Sequence, residues 1–204
     1  MRPPRSGASV PRVDRQAAAR AIADFLRALG QEPQGELAST PEQVAAAWCD
    51  ELLAGYELDA AAILREGSMP AEQAGHPLVA LRAVALSTMC PHHLLPAHGD
   101  ATVVYLPGAR VVGLGALCRA IEARAHRLTV QERIGSEVAE LLVAELGARG
   151  ALCRLRMQHS CLAVRGRRQA HAVVETLAVA GSFAAAGPER ELALAALASG
   201  RHGG

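Results

Sequence analysis

Residues 151–157 read ALCRLRM, an alternation that places Cys153, Leu155 and Met157 on one side of an extended chain and Arg154 and Arg156 on the other. A strand of that kind needs an apolar layer against one face, which restricts the fold more than any other stretch of the chain. The turn-forming run RGRRQ follows, and Ala172 to Val179 is extended again, which predicts an antiparallel partner. Leu78 to Thr88 and Ala101 to Leu106 are rich in Val and Leu without helical period and predict two further strands. Pro107-Gly108 predicts a hairpin into a short strand over Arg110 to Val112.

Helical patterns supply the covering layer. Ala17, Ile22, Phe25, Leu26 and Leu29 recur at helical spacing and Gly30 ends the run. Thr40, Pro41 and Gln43 predict an N-cap, a first-position proline and a capping-box partner for a second helix through Trp48 and Leu53, closed by Gly55. Leu114, Leu117, Cys118 and Ile121 form one apolar stripe, and Val130, Ile134, Val138, Leu141 and Leu142 another, ended near Gly147. A last helix runs from Glu189 to Ala198. The order is α+β, an antiparallel sheet backed by helices. With 50% hydrophobic but only 2% aromatic residues, the core must be built from Ala, Val and Leu.

A chain of 204 residues supports one domain, expected over residues 12–199, with 1–11 and 200–204 as flexible tails. A net charge of +1 excludes a broad basic field for nucleic acid. All 21 basic residues are Arg. The N-terminus lacks an apolar leader and the greasiest stretch, Leu78 to Met89, is broken by Arg82, so no membrane span is expected. Five cysteines, an odd number widely spread, predict reduced thiols and a cytoplasmic setting.

The segment STMCPHHLLPAHGD concentrates Cys90, His92 and His93. Cys90 and His93 have the C-x-x-H spacing that lets a thiolate and an imidazole close on one ion from a single turn, which Pro91 favours. The segment QHSCLAVRG adds His159 and Cys161, two apart in an expected extended chain and so on one side of it. With Cys161 as third ligand, a tetrahedral ion keeps one open place, the arrangement of catalytic zinc, and His92 and His159 remain free to carry protons. The alternative is that both cysteines are ordinary buried thiols and the histidines serve backbone carbonyls. Cys49, Cys118 and Cys153 are assigned to packing, and His76, His98, His126, His171 and His202 to surface or loop positions.

In order, TPEQVAAAW, STMCPHHLLPAHGDATVVYLPGARVVGL, RLTVQERI, QHSCLAVRG and VAGSF resemble the GTP cyclohydrolase I family over most of the chain. The resemblance implies zinc at Cys90, His93 and Cys161, proton transfer by His92 and His159, and a guanine edge held by Gln131 and Glu132. A carboxylate at Glu132 suits that edge, since it can accept from a ring N–H and the exocyclic amine together. The implied reaction is attack of zinc-activated water on C8 of guanine in GTP, ring opening with His159 protonating the adjacent nitrogen, release of formate and closure to a dihydroneopterin triphosphate. The implied fold is the tunnelling type, assembled as a toroidal homo-oligomer with active sites between subunits.

The departures cluster where the family places cations for the triphosphate. Gln43 and Ala46 stand where an Arg and a Lys are usual, and Gly115 and Ala116 where Ser-Lys is usual, while Arg119 and Arg165 remain. Each lost charge-assisted contact is worth about 1.5–3 kcal/mol. Arg124, Arg127, Arg167 and Arg168 are candidate replacements. Two alternatives therefore stand beside a GTP enzyme: a paralogue for GMP, guanosine or a related purine, and a non-catalytic purine- or pterin-binding subunit.

Overall fold

The structure, a computed structural model, describes residues 13–71 and 77–199. The expected tails, together with His76 and His202, lie outside the described residues. In chain order the elements are α1 (Arg15–Ala28), α2 (Thr40–Ala46), α3 (Ala60–Glu66), β1 (Ser68–Pro70), β2 (Val79–Met89), β3 (Pro96–Leu106) and β4 (Arg110–Val112). Then come α4 (Leu114–Ala125), α5 (Gln131–Leu146), β5 (Gly150–His159), α6 (Ser160–Ala163), β6 (Val174–Gly181) and α7 (Pro188–Ser199).

The main sheet has the order β2-β3-β5-β6 and is antiparallel throughout. The alternation in β5 works as its sequence requires. Cys153, Leu155 and Met157 are fully buried, facing a core shared with Val103 and Tyr105 of β3, Leu117 and Ile121 of α4, and Ile134 and Leu142 of α5. Each large apolar side chain so buried contributes about 1.5–3 kcal/mol of transfer free energy. On the other face, Val104, Leu106 and Leu152 pack beneath Phe183, in the turn after β6, and Ala193 of α7. Past the reach of α7 that face turns polar, with Arg156 Nε 3.5 Å from the Glu175 carboxylate. The fold class is therefore α+β, an antiparallel sheet backed by helices. No helix among the described residues is long and apolar enough to cross a membrane.

Four local expectations need correction. β3 begins at Pro96 rather than Ala101, because residues 96–100, though rich in turn formers, pair on both sides with β2 and β5. β4 does not return onto β3: it pairs with β1, and Ala71 N–H donates to the Ala109 carbonyl at 3.0 Å, drawing the chain away from its predecessor. The capping box at Thr40 does not form. Thr40 is the first helical residue, and Ser39 before it sits at φ −99°, ψ −1° with no side-chain cap, since a capping hydroxyl needs an extended backbone. β6 starts at Val174, not Ala172.

The second helix runs on past α2 in wider turns over Ala47–Leu52 and stops near Gly55 for a packing reason. A Cβ at Gly55 would lie 2.7 Å from the carbonyl oxygens of Ala123 and His126. α3 and β1 were not foreseen, being short. Asp59 nonetheless caps α3 by accepting from Ala61 and Ala62 N–H. Leu114, placed on the stripe of α4, is 59% exposed, whereas Leu117 and Ile121 are buried. Of the cysteines assigned to packing, Cys153 is buried and Cys49 and Cys118 are half-buried.

Candidate metal centre

Three pieces distant in sequence meet at one end of the main sheet. The first is the loop joining β2 to β3. Cys90 N–H donates to the Leu95 carbonyl at 3.0 Å and Leu94 N–H to the Cys90 carbonyl at 2.9 Å, so the chain closes tightly around His92 and His93. The closure holds Leu94 at φ 52°, a left-handed conformation that costs a non-glycine residue of order 1–3 kcal/mol and that persists only where surrounding bonds impose it.

The second piece is the end of β5. Ala97 of β3 pairs with His159, which carries the strand's last residue up to the loop. Here the extended reading of QHSCLAVRG fails: the strand ends at His159, and Cys161 lies in the one-turn helix α6. Cys161 still reaches the loop, by helical rotation instead of strand alternation.

The third piece is the start of α5. Met89 and Thr129 exchange a backbone hydrogen bond (Thr129 N–H to Met89 carbonyl, 3.2 Å), and the Thr88 hydroxyl donates to the Arg127 carbonyl at 3.2 Å. Arg127 in turn donates to the Gly55 carbonyl at 2.7 and 3.0 Å and lies over the Tyr56 ring. This ties the approach to α5 onto the end of β2 and fixes where Glu132 sits.

The Sγ of Cys90, a ring nitrogen of His93 and the Sγ of Cys161 all lie within 4.8 Å of one another. Cys90 Sγ is 3.8 Å from His93 Nδ1. A tetrahedral zinc with Zn–S of about 2.3 Å and Zn–N of about 2.0 Å separates those two atoms by roughly 3.5 Å, so the donor set fits such an ion with little movement. His92 Nδ1 is equally close to Cys90, yet His92 falls outside the three-way group.

The three donors line a cavity of about 180 Å³ together with His92, His159, Gln131 and Glu132. That is smaller than the roughly 300–1,000 Å³ of pockets that enclose a whole drug-sized ligand, so it suits a ring system rather than an entire nucleotide. Arg119 and Arg165 are exposed and not among its lining residues. Of the replacement cations, Arg127 is committed to backbone carbonyls and Arg124 to Glu137 at 3.5 Å, whereas Arg167 and Arg168 are exposed. Gln43 and Gly115 are also exposed, and Ala46 and Ala116 half-buried.

Burial lowers the pKa of His159, against a smaller opposing pull from the Glu132 carboxylate. Thr88 and Thr129, both nearly buried, also line the cavity, and neither was singled out from sequence, where a lone threonine carries no signal. Nor was the environment of Gln131, a polar side chain only 2% exposed. Its one legible sign is a glutamine opening a helix at an inward position.

Residues 18–198 match the family described as GTP cyclohydrolase I. The chain is 42% identical to GTP cyclohydrolase 1 of Leifsonia xyli subsp. xyli over 180 residues, covering 88% of this chain and 93% of that relative. It is 39% identical to GTP cyclohydrolase 1 of Mycobacterium leprae, covering 86% of each. The protein of the same name from Deinococcus radiodurans is 35% identical, with 78% of this chain and 73% of the relative covered.

Proposed function

This chain belongs to the GTP cyclohydrolase I family of hydrolases, and on that premise we propose that it opens the guanine ring of GTP, releasing formate and forming 7,8-dihydroneopterin triphosphate. The observation that carries the reading is the convergence of Cys90, His93 and Cys161 in the cavity that also holds His92, His159 and Glu132.

Cys90, His93 and Cys161 would hold a zinc ion. The chemistry it would supply there is Lewis acidity that brings the pKa of water near 7. Glu132 accepts from the guanine ring N–H and exocyclic amine, a two-pronged contact that sets the base in plane. The first turn of α5 leaves backbone N–H groups at Gln131 and Glu132 without intrahelical acceptors, donors suited to the guanine carbonyl on the same edge. His159 gives a proton to the ring nitrogen beside C8 as the five-membered ring opens. His92, on the loop next to the donors, relays protons in the later hydrolysis and closure.

Because the cavity takes only the base, the phosphates extend beyond it to Arg119 and Arg165, with Arg167 and Arg168 nearby in sequence. We assign residues 12–199 to one domain that assembles as a ring of identical subunits in the cytoplasm. β2 and β6 are both edge strands of the main sheet, so an edge-to-edge contact between copies extends it. The uncharged residues at Gln43, Ala46, Gly115 and Ala116 favour one second reading, a substrate with fewer phosphates. Incubating zinc-loaded protein with GTP, GMP and guanosine, while following formate and pterin fluorescence, separates the two. Turnover of GTP alone supports the first, turnover of GMP or guanosine in preference to GTP the second, and no turnover of any purine removes both.

A further inference from the structure

Gln131 carries the most heavily bonded side chain in the neighbourhood of the site. It opens α5, is 2% exposed, and its amide nitrogen donates to the Leu155 carbonyl at 3.1 Å, the Val174 carbonyl at 3.0 Å and the Thr176 hydroxyl at 3.1 Å. The first two partners are main-chain carbonyls of β5 and β6, which only accept. The amide therefore has one orientation, because turning it over would set its oxygen against two other oxygens.

That orientation directs the remaining end. Gln131 Oε1 lies 2.9 Å from His159 Nε2. An amide oxygen cannot donate, so Nε2 must carry the hydrogen, and in the neutral ring Nδ1 is left with the lone pair. Nδ1 has no protein hydrogen-bond partner among the described residues, so it is the ring atom free to exchange a proton with a bound molecule. The chain of constraint runs from two strand carbonyls through one buried amide to a single tautomer.

We propose that Gln131 is a positioning residue whose side chain keeps the hydrogen of neutral His159 on Nε2, so that Nδ1 is the atom that takes up a proton from water and then gives it to the ring nitrogen beside C8. This gives its side chain a task distinct from contact with the guanine edge, for which only its backbone N–H remains. The proposal rests on the assigned role of His159 in ring opening.

The test is solid-state 15N NMR of protein labelled at histidine, with the His159 signals assigned by their loss in His159→Ala. Protonated and lone-pair ring nitrogens are widely separated in 15N shift, which makes the tautomer directly readable in both zinc-free and zinc-loaded protein. Wild type at alkaline pH should show His159 with Nε2–H and a bare Nδ1. Gln131→Met, similar in length but unable to accept in the same way, should show a mixture of tautomers. Its kcat for GTP should fall about 10²-fold, within the usual range for losing a positioned acid or base, with KM moved by no more than about threefold and zinc content unchanged. Thr176→Val removes one of three acceptors without touching His159 and should keep the tautomer and kcat within about twofold of wild type.

A wild-type His159 carrying its hydrogen on Nδ1 overturns the proposal, as does a folded Gln131→Met with unchanged tautomer and kcat. If Gln131→Met fails to fold, the wild-type spectrum still decides. If wild type turns over no GTP, the proposed function fails, while the spectrum continues to report on the lock.

Discussion

Cys161 lies on a different element from Cys90 and His93, so its loss should empty the site without disturbing the loop that holds the other two. Cys161→Ser is expected to lose most of its zinc; a variant with full zinc content would mean that the third ligand is another residue. His159→Ala should keep the zinc and lose ring opening, and zinc depletion in that variant would count against a purely proton-carrying role. Cys153 makes a different prediction. Burial pushes its thiol from 9.0 up to about 12, so the folded state holds the proton where the unfolded chain gives it up. The resulting stability is complete below pH 9.0, falls as pH rises from there toward about 12, and has the same sign as the contribution of Tyr105, also raised by burial. Urea midpoints followed across that range should drop more steeply in wild type than in Cys153→Ala, and equal slopes would refute the assignment. Cys90 and His93 were legible from their C-x-x-H spacing, whereas Cys161 was reached through an extended reading that the structure replaces with a helical turn. The grip on His159 was not legible, because a hydrogen bond from the first residue of α5 to the last of β5 has no local sequence signature.

At the scale of elements, the periodic segments of α4, α5 and β5 were read well and the junctions poorly, while the α1 stripe forms its helix but leaves Phe25 and Leu29 exposed. The stripes of α4 and α5 and the alternation of β5 follow from burial against one layer, which each segment encodes by itself. The strand expected from Ala101 leaves out residues 96–100, whose Pro, Gly and Asp favour turns in isolation, yet ladders on both sides hold them extended. Pro107-Gly108 resembles a hairpin turn, but β1, a partner too short to foresee, takes β4 instead. The approach to α5 depends on another such contact, Arg127 donating to the Gly55 carbonyl. Arg127→Met should lower stability by about 1.5–3 kcal/mol in urea unfolding, since it leaves a partly buried carbonyl unpaired and removes a charged donor. Gly55→Ala should destabilise as well, by overlap with the Ala123 and His126 carbonyls. Wild-type midpoints for both variants would show that this clamp is dispensable.

At the scale of the whole molecule, the sheet order ends in β2 and β6, beside which the described residues place no further strand, apart from the bonds between Met89 at the end of β2 and the residues before α5. Sedimentation should find a multiple of the single chain, and a stable monomer with full activity would contradict sites shared between subunits. The proposed ring, phosphate contacts and tautomer lock all presuppose a cavity that holds an ion. X-ray absorption at the zinc edge measures this directly. About one zinc per chain, with two sulfur neighbours near 2.3 Å and lighter neighbours near 2.0 Å, is the predicted result. A zinc bound without sulfur, or protein that takes up no zinc at all, would contradict the account at its base.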